Sequence, residues 1–512
     1  MPLALAVGLA MVASFVLSQT LVPVLANYWK LAPHDPNSSR FGQGFARVQE
    51  RYRRLLDRLF VKTRMVLVLY ALLVAVTAWV GMSLIGTDVF PQAESGQFQL
   101  RLRLPTGTRL ERTEVAMKRL LTVVDSAAGP GNVLISSAFV GVPPPNFPVN
   151  LIHLWSSGPH EGVALVRLKQ DAPPMGMLKE LIRSRVAQVL PEARISFEPA
   201  DLVDKVISQG SPTPIEVAVL GLDLVQSRAI ATRIRQRMDS LPILRDVQLG
   251  IPLDQPTLRI DVDRERAGQL GLTMLDVGRS LTAATSSSRY TTPNYWLDAS
   301  SGVAYQVQVE VPQFKMNAPE EVGNIPLTAE GNSSRVRDVA ALTPGVSVGE
   351  YDRLNQQRMV TITANTHDCD LGSALRAVEK IVAAEGELPK GSKVLLRGQA
   401  ETLKQTQSEL QAGLALAVVV IFLLLAAYFQ RPGLALAVVA VAPAVVVGSL
   451  LALLLTGQSL NIQSYTGAIM AIGVSIANSV FLITAARSDH QAGADGPNAA
   501  RGAARRRLRP IL

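Results

Sequence analysis

The chain has a single cysteine, Cys369, so no disulfide can form within it. Aromatic residues make up only 5% of its 512 residues and charged residues only 18%. It has no phosphate-cradling glycine loop, zinc-spaced cluster or nucleophile–base pairing, so neither ATP as energy source nor an enzyme is expected. Asp, Glu, Lys, Arg and His are all missing from five long apolar runs, residues 3–26, 65–86, 411–429, 433–457 and 464–486. Each run reaches the roughly 20 residues that a membrane-spanning helix needs. Five uncharged runs are hard to house in a soluble core. A chain of this length also exceeds one domain, and with 48% hydrophobic residues and a mean hydropathy of +0.23 it reads as part membrane, part aqueous. The first run starts at the initial Met without a basic stretch and ends without a small-residue cleavage site, so it reads as a retained span.

The net charge of +9 would suggest nucleic acid until it is located. Residues 28–64 hold nine Lys/Arg against three Asp/Glu, and residues 487–512 hold six Arg against two Asp. With Arg431, these segments carry all of the excess. They border the apolar runs, which is the positive-inside pattern of cytoplasmic loops and argues against a nucleic-acid partner. Residues 28–64, the turn "FQRPGL" and the Arg-rich tail are therefore expected inside, and residues 87–410 and "TGQSLN" outside.

Between the first two runs, Phe41, Phe45, Val48, Tyr52, Leu55, Leu56 and Leu59 recur at three- and four-residue steps, with Arg51, Arg53, Arg54 and Arg58 on the remaining face. This predicts an amphipathic helix, either on the inner membrane surface or packed on protein. Residues 87–410 alternate period-two strands ("QFQLRLRL", "IEVAVL", "LRIDVD", "YQVQVEV") with helical stretches (109–125, "MLKELIRSRVAQVL", "SRAIATRIRQRMDSL", "SALRAVEKIVAA"). The recurring strand–helix–strand order predicts stacked α+β sandwiches of ferredoxin-like type, with helices on one face of each sheet.

These residues resemble the resistance–nodulation–division (RND) family of efflux permeases, hydrophobe/amphiphile type. "DVFPQAESGQFQLRLRLPTGTRLERTE" is similar to that family's exit from its seventh membrane helix into the C-terminal porter region. "IDVDRERAGQLGLTMLDVGRSL", "GVALVRLK" and "FQRPGLALAVVAVAPAVVVGSLLALLLTGQSLNIQSYTGAIMAIGV" resemble further family segments, the last its eighth to tenth helices. The resemblance implies a membrane helix at 1–27 (sixth), a cytoplasmic loop with an interfacial helix at 28–64, and a seventh helix at 65–86. It further implies porter subdomains at 87–208 and at 209–251 with 346–405, and a docking-type insertion at 252–345. Helices eight to ten fall at 411–429, 433–457 and 464–486, before a basic cytoplasmic tail at 487–512. A complete family member has twelve membrane helices, so this reading expects a C-terminal-half fragment.

The resemblance implies a bacterial inner-membrane protein, a homotrimer joined by a periplasmic adaptor and an outer-membrane channel, driven by the proton-motive force without a cofactor. The family's relay aspartates lie on a fourth helix that has no counterpart here, and Ala477 stands where many members have a tenth-helix lysine. No run supplies an ionisable group, so the chain alone is not expected to relay protons. Ser475, Asn478 and Ser479 remain as a polar cluster, either beside a proton pathway or as helix-packing contacts. The loop 139–161 matches the family's loop between binding pockets. Phe139, Phe147 and Trp155, with Leu165 in the following strand, are its candidate substrate contacts, although such aromatics also bury against neighbouring strands. His367, Asp368, Cys369 and Asp370 are metal-binding types, but four adjacent residues do not easily converge on one ion, and Asp370 reads as a helix N-cap. No metal site is therefore assigned. Alternatives are a heavy-metal efflux branch, a truncated product without transport, and a membrane-anchored periplasmic binding or scaffold module.

Overall fold

The computed structural model describes residues 2–28, 40–90, 96–142, 156–200, 202–327 and 334–511. Two compact units emerge, one of Met1–Leu84, Leu414–Thr456 and Thr466–Leu512, the other of Ile85–Gly413 and Gly457–Tyr465. In chain order the principal helices are α1 Pro2–Tyr28, α2 Arg40–Val61, α3 Thr63–Leu84, α4 Leu110–Ala128, α5 Met175–Val189, α6 Leu224–Asp239, α7 Met274–Thr285 and α8 Leu371–Ala383. They continue with α9 Gln399–Phe429, α10 Pro432–Val439, α11 Ala442–Thr456, α12 Ile462–Gln491 and α13 Gly496–Ile511.

Five stretches are long and apolar enough to cross a membrane, namely Gly8–Tyr28, Thr63–Gly81, Gln399–Phe429, Pro432–Thr456 and Ile462–Gln491. The fourth is broken between α10 and α11, where Pro443 cannot donate to the carbonyl four residues earlier. In hydrocarbon the freed backbone groups need partners, and the Tyr70 hydroxyl of α3 donates to Ala440 O at 2.6 Å. Phe429, Val438, Ala442, Ile472 and Ile476 form the buried core of this unit. Gly81 lets α3 approach α11 closely, since a Cβ there would lie 3.1 Å from Leu450 Cδ1. None of the described side chains of Gly8–Tyr28 is buried.

The other unit contains the same arrangement twice. Strands β1 Gln97–Arg103, β2 Val133–Val140, β3 Glu161–Leu168 and β4 Arg194–Glu198, with α4 and α5 as crossovers, form an antiparallel sheet ordered β2-β3-β1-β4. This is the ferredoxin-like order. Leu100, Leu102, Leu120, Leu178 and Ile182 are completely buried between the sheet and its two helices. The second copy uses β5 Ile215–Gly221, α6, β6 Leu244–Leu249, β12 Gln357–Thr366, α8 and β13 Lys393–Arg397. Here β6 pairs β12, β12 pairs β5 and β5 pairs β13, which repeats the order. Ile215, Val217, Ile234, Val360 and Ile362 fill its core.

Between β6 and β12 the chain makes an excursion. It pairs β7 Gln255–Val262 with β10 Ala340–Ser347 beside a small core that includes Leu272, Val277, Leu327 and Val336, and β8 Asn294–Leu297 with β9 Ala304–Val307 as a largely exposed ribbon. Strand β11, Asp352–Leu354, then adds to the edge of β12. Gly398, at φ +81, starts the approach to α9. A Cβ there would meet Pro214 O at 2.8 Å and Thr213 O at 3.0 Å, so only glycine fits without backbone movement.

Candidate functional site

Alternation along β1 places Phe98, Leu100 and Leu102 against the helices and Gln99, Arg101 and Arg103 on the opposite face. That face is not open water, because Gln99, Arg101, Glu161 and Glu198 are buried. Register brings them together: Gln99 lies opposite Glu198 of β4 and Leu165 of β3, and Arg103 opposite Glu161. Arg101 Nε donates to Glu198 Oε1, and its Nη1 lies 3.4 Å from Glu161 Oε2. Gln99 Nε2 donates to Glu198 Oε2 and accepts at Oε1 from Lys205 Nζ at 3.2 Å. Arg103 Nε lies 2.7 Å from Glu161 Oε1, and its Nη2 donates to Gly250 O at 2.9 Å. Ser157 Oγ donates to Glu161 Oε1 at 2.7 Å.

The electrostatics follow from this packing. Burial pushes the Glu161 carboxyl up, but Arg103, Arg101 and the Ser157 hydrogen bonds outweigh it and hold it below the ordinary value. His160, completely buried beside it, is pushed down by desolvation, against the pull of the Glu161 charge 3.7 Å away. Neither ring nitrogen of His160 has a hydrogen-bond partner among the described residues. Glu350, Asp352 and Glu216 are all pushed up by burial. At Glu216 the Arg397 guanidinium, 2.8 Å away, opposes that rise only in part.

The same face carries an apolar patch. Phe139 opposes Val163, and Leu165 opposes Ser137, so Phe139, Val163 and Leu165 share the face that holds Gln99 and Arg101. Phe139 is 37% exposed, Leu165 half-buried and Val163 buried. Gly141 N donates to Glu161 O at 2.8 Å and Leu104 N to His160 O at 2.9 Å, which fixes the base of the loop that begins after β2. Phe147 and Trp155 lie outside the described residues. A groove of about 870 Å³ opens elsewhere in this unit, lined by Thr106, Arg109, Glu111, Arg112, Val115 and Phe314.

Of the membrane residues, Ser475, Asn478 and Ser479 are half-buried on α12. Ser479 Oγ donates to its own helix at Ser475 O, 2.8 Å away, the usual fate of a serine in an apolar helix. Ala477 is exposed, whereas its neighbour Ile476 is buried. At the 367–370 stretch, Asp370 caps α8 by accepting from Ser373 N, as its position predicts, and also accepts from Thr87 N at 2.8 Å. Cys369 Sγ lies 3.6 Å from Ile243 O, and His367 lies 3.5 Å from Glu180. No group of three or more His, Cys, Asp or Glu able to hold a metal ion occurs among the described residues.

The structure brings Phe139 and Leu165 onto one sheet face, beside an ionic network that sequence reading missed. Its signal was present in β1, where arginines alternate with leucines on a strand that has a second strand on each side. A central strand leaves little room for solvated guanidinium groups, so arginines there need acidic partners.

Comparison with known proteins places these features. The family model for AcrB/AcrD/AcrF matches residues 1–512. The chain is 24% identical over 536 residues to "Cobalt-zinc-cadmium resistance protein CzcA" of Cupriavidus metallidurans, covering 100% of this chain and 48% of that protein. It is 24% identical over 524 residues to "Toluene efflux pump membrane transporter TtgB" of Pseudomonas putida, covering 99% and 47%. A crystal structure of a heavy metal efflux pump superposes with a TM-score of 0.76 at 24% identity, over 92% of this chain and 46% of that one. The chain thus spans about half the length of the curated relatives it matches.

Proposed function

The chain belongs to the AcrB/AcrD/AcrF family of RND permeases, and on that premise we propose that it forms the C-terminal half of a proton-driven pump expelling amphiphilic or hydrophobic compounds. It is a multi-pass inner-membrane protein with a large periplasmic region, and its work is transport rather than catalysis. The observation that carries the substrate reading is the shared sheet face, where Phe139, Val163 and Leu165 adjoin Gln99 and Arg101. An apolar patch beside fixed charges suits molecules with both characters.

In this reading Phe147 and Trp155 join the patch from the loop that follows β2. Subdomains at 87–208 and at 209–251 with 346–405 alternate between states, and 252–345 docks other components. The proton-carrying groups come from the segments that correspond to the other half of the relatives, because the five apolar runs hold none. Ser475, Asn478 and Ser479 pack against them. The working assembly is a homotrimer with a periplasmic adaptor and an outer-membrane channel.

A heavy-metal substrate is the second reading, supported by the likeness to CzcA and to the superposed pump. Everted vesicles holding the assembled pump separate the two. Amphiphile export predicts proton-dependent uptake of a cationic dye, reduced at least ten-fold by Phe139→Ala with Leu165→Ala, and no protection of cells against zinc or cobalt. Metal-dependent proton flux without dye uptake would overturn the amphiphile reading.

A further inference from the structure

The core of the second ferredoxin-like sheet extends into three membrane connections. Val89, five residues beyond α3, and Leu403, near the start of α9, are buried in it with Ile215, Ile234, Leu371 and Ala374. Ile462, the first residue of α12, packs against the same cluster. Among the described residues, the core of the first sheet takes none from these connections.

Backbone bonding ties the same pieces together. Leu460 N, in the link from α11 to α12, donates to Gly86 O at 2.8 Å, and Asp88 N returns a bond to Leu460 O at 3.1 Å. The alternate backbone groups of this segment, those of Thr87, meet the start of α8. Thr87 N donates to Asp370 Oδ2 at 2.8 Å, and Thr87 O accepts from Gly372 N at 2.9 Å. Asp88 Oδ1 accepts from Leu371 N at 2.9 Å, and Asp370 Oδ2 accepts from Ser373 N at 2.8 Å. The first three amides of α8, which a helix cannot satisfy from within, are thus all bonded, two of them by Thr87 and Asp88.

Glycine sets how closely these pieces lie. A Cβ at Gly372 would collide with Thr87 Oγ1, and one at Gly86 would lie 2.6 Å from Asp370 Cβ. A connector that only spans a gap runs over the surface and needs neither the bonds nor the glycines. A connector bonded to both neighbours and anchored in a core moves as part of that core.

We infer that Gly86–Val89 is a rigid clasp between the spanning helices and the second porter sheet, with Asp88, Asp370 and Gly372 as positioning residues for transport. A displacement carried along the chain from α3, or through the link between α11 and α12, reaches α8 through these bonds. The first sheet, with no such anchor in its core, follows the second. The clasp rests on the transport reading and holds for either substrate class.

The test uses proteoliposomes that hold the full chain assembled with a polypeptide matching the other half of the family. A pH gradient is imposed, and a cationic dye and zinc ion are offered in separate runs. Asp88→Ala and Gly372→Ala are each expected to lower the maximum transport rate about ten-fold. The half-saturating substrate concentration stays within about two-fold of wild type, because the clasp lies outside the binding surface. Asp88→Asn keeps an oxygen for Leu371 N and so keeps most of the rate. Thr87→Ala, which removes the colliding hydroxyl, restores part of the rate to Gly372→Ala. Asp88→Ala against Asp88→Asn decides the matter where Gly372→Ala fails to assemble. Wild-type rates in Asp88→Ala would overturn the clasp, as would a loss expressed only as weaker half-saturation. Equal loss in Asp88→Asn would give Asp88 a charge-dependent role and also overturn it. Wild-type liposomes that move neither substrate would overturn the transport reading itself, and the clasp with it.

Discussion

Arg101→Met removes the centre of the buried network while keeping most of the side chain's length and its apolar stem. Arg101 is 6% exposed and faces two carboxylates, of which Glu161 is 1% and Glu198 8% exposed. Glu161 keeps Arg103 and Ser157, and Glu198 keeps Gln99, so neither is abandoned entirely. Removing one partner of a buried ion pair costs about 3–5 kcal/mol, because the remaining charge stays desolvated. The retained partners place the expected loss at the lower end, about 3 kcal/mol at neutral pH. Adding Glu198→Met recovers part of that loss, with a coupling energy above about 1 kcal/mol in the double-mutant cycle. The sign against pH is also set. The Glu161 carboxyl is held below its ordinary value, so its contribution is present above about pH 4.3 and is lost as pH falls through the folded value. The gap between wild type and variant therefore narrows on acidification. Urea pulse proteolysis of the full chain, with cleavage followed in residues 85–413, measures both effects. A variant within 0.5 kcal/mol of wild type at pH 7 (an order-of-magnitude margin for surface sites) would refute the claim that the network is desolvated and coupled.

Other outcomes follow from the same geometry. His160, pushed down by burial, binds its proton less tightly when folded than when unfolded, so stability falls as pH drops through about 6.5, by at most about 1.4 kcal/mol per pH unit. Glu216, Glu350 and Asp352, all pushed up, hold protons more tightly when folded and oppose this trend in more acidic solution. His160→Gln isolates the histidine part, and an unchanged slope between about pH 7 and 5.5 would contradict it. Asp370→Ala loses the α8 cap and the Thr87 N contact and is expected to cost about 1–3 kcal/mol by the same urea assay. Ser479→Ala, whose hydroxyl donates to its own helix at Ser475 O, is expected to change thermal stability by less than about 1 kcal/mol and to leave export intact. A large loss of export in that variant would return Ser479 to the proton path.

Much of this architecture was legible in residue patterns. The five uncharged runs announced the spans, and strand–helix–strand order announced the ferredoxin-like sheets. The period-two alternation of Phe98, Leu100 and Leu102 marked the strand, and these residues lie on its helix-covered face, because leucine at every second position has one low-energy destination. The same pattern misleads about Gln99 and Arg101. Alternation says that they face away from the helices, but it does not say that register lines them up with Glu198 and Glu161 from strands about 60 to 100 residues away. Pairing at that separation is a property of topology. The repeat of the fold was obscured for a related reason. The excursion from Gln255 to Ser347 separates β6 from β12, so residue patterns alone do not join the two pieces, and it was the resemblance that implied one subdomain from 209–251 with 346–405; the strand order of the second sheet equals that of the first. The pairing of α2 with α13 was equally hidden, since Asp57 and Arg505 lie at opposite ends of the chain.

The central claim is that this chain supplies porter surface and membrane scaffold while its proton-carrying partner groups lie in segments corresponding to the rest of its relatives. Proteoliposomes test it most directly, with an imposed pH gradient and a fluorescent amphiphile. One set holds the purified chain alone, and the other the chain together with a polypeptide matching the other half of the family. The account predicts gradient-dependent dye movement in the second set and none in the first. Gradient-dependent movement by the chain alone would contradict it.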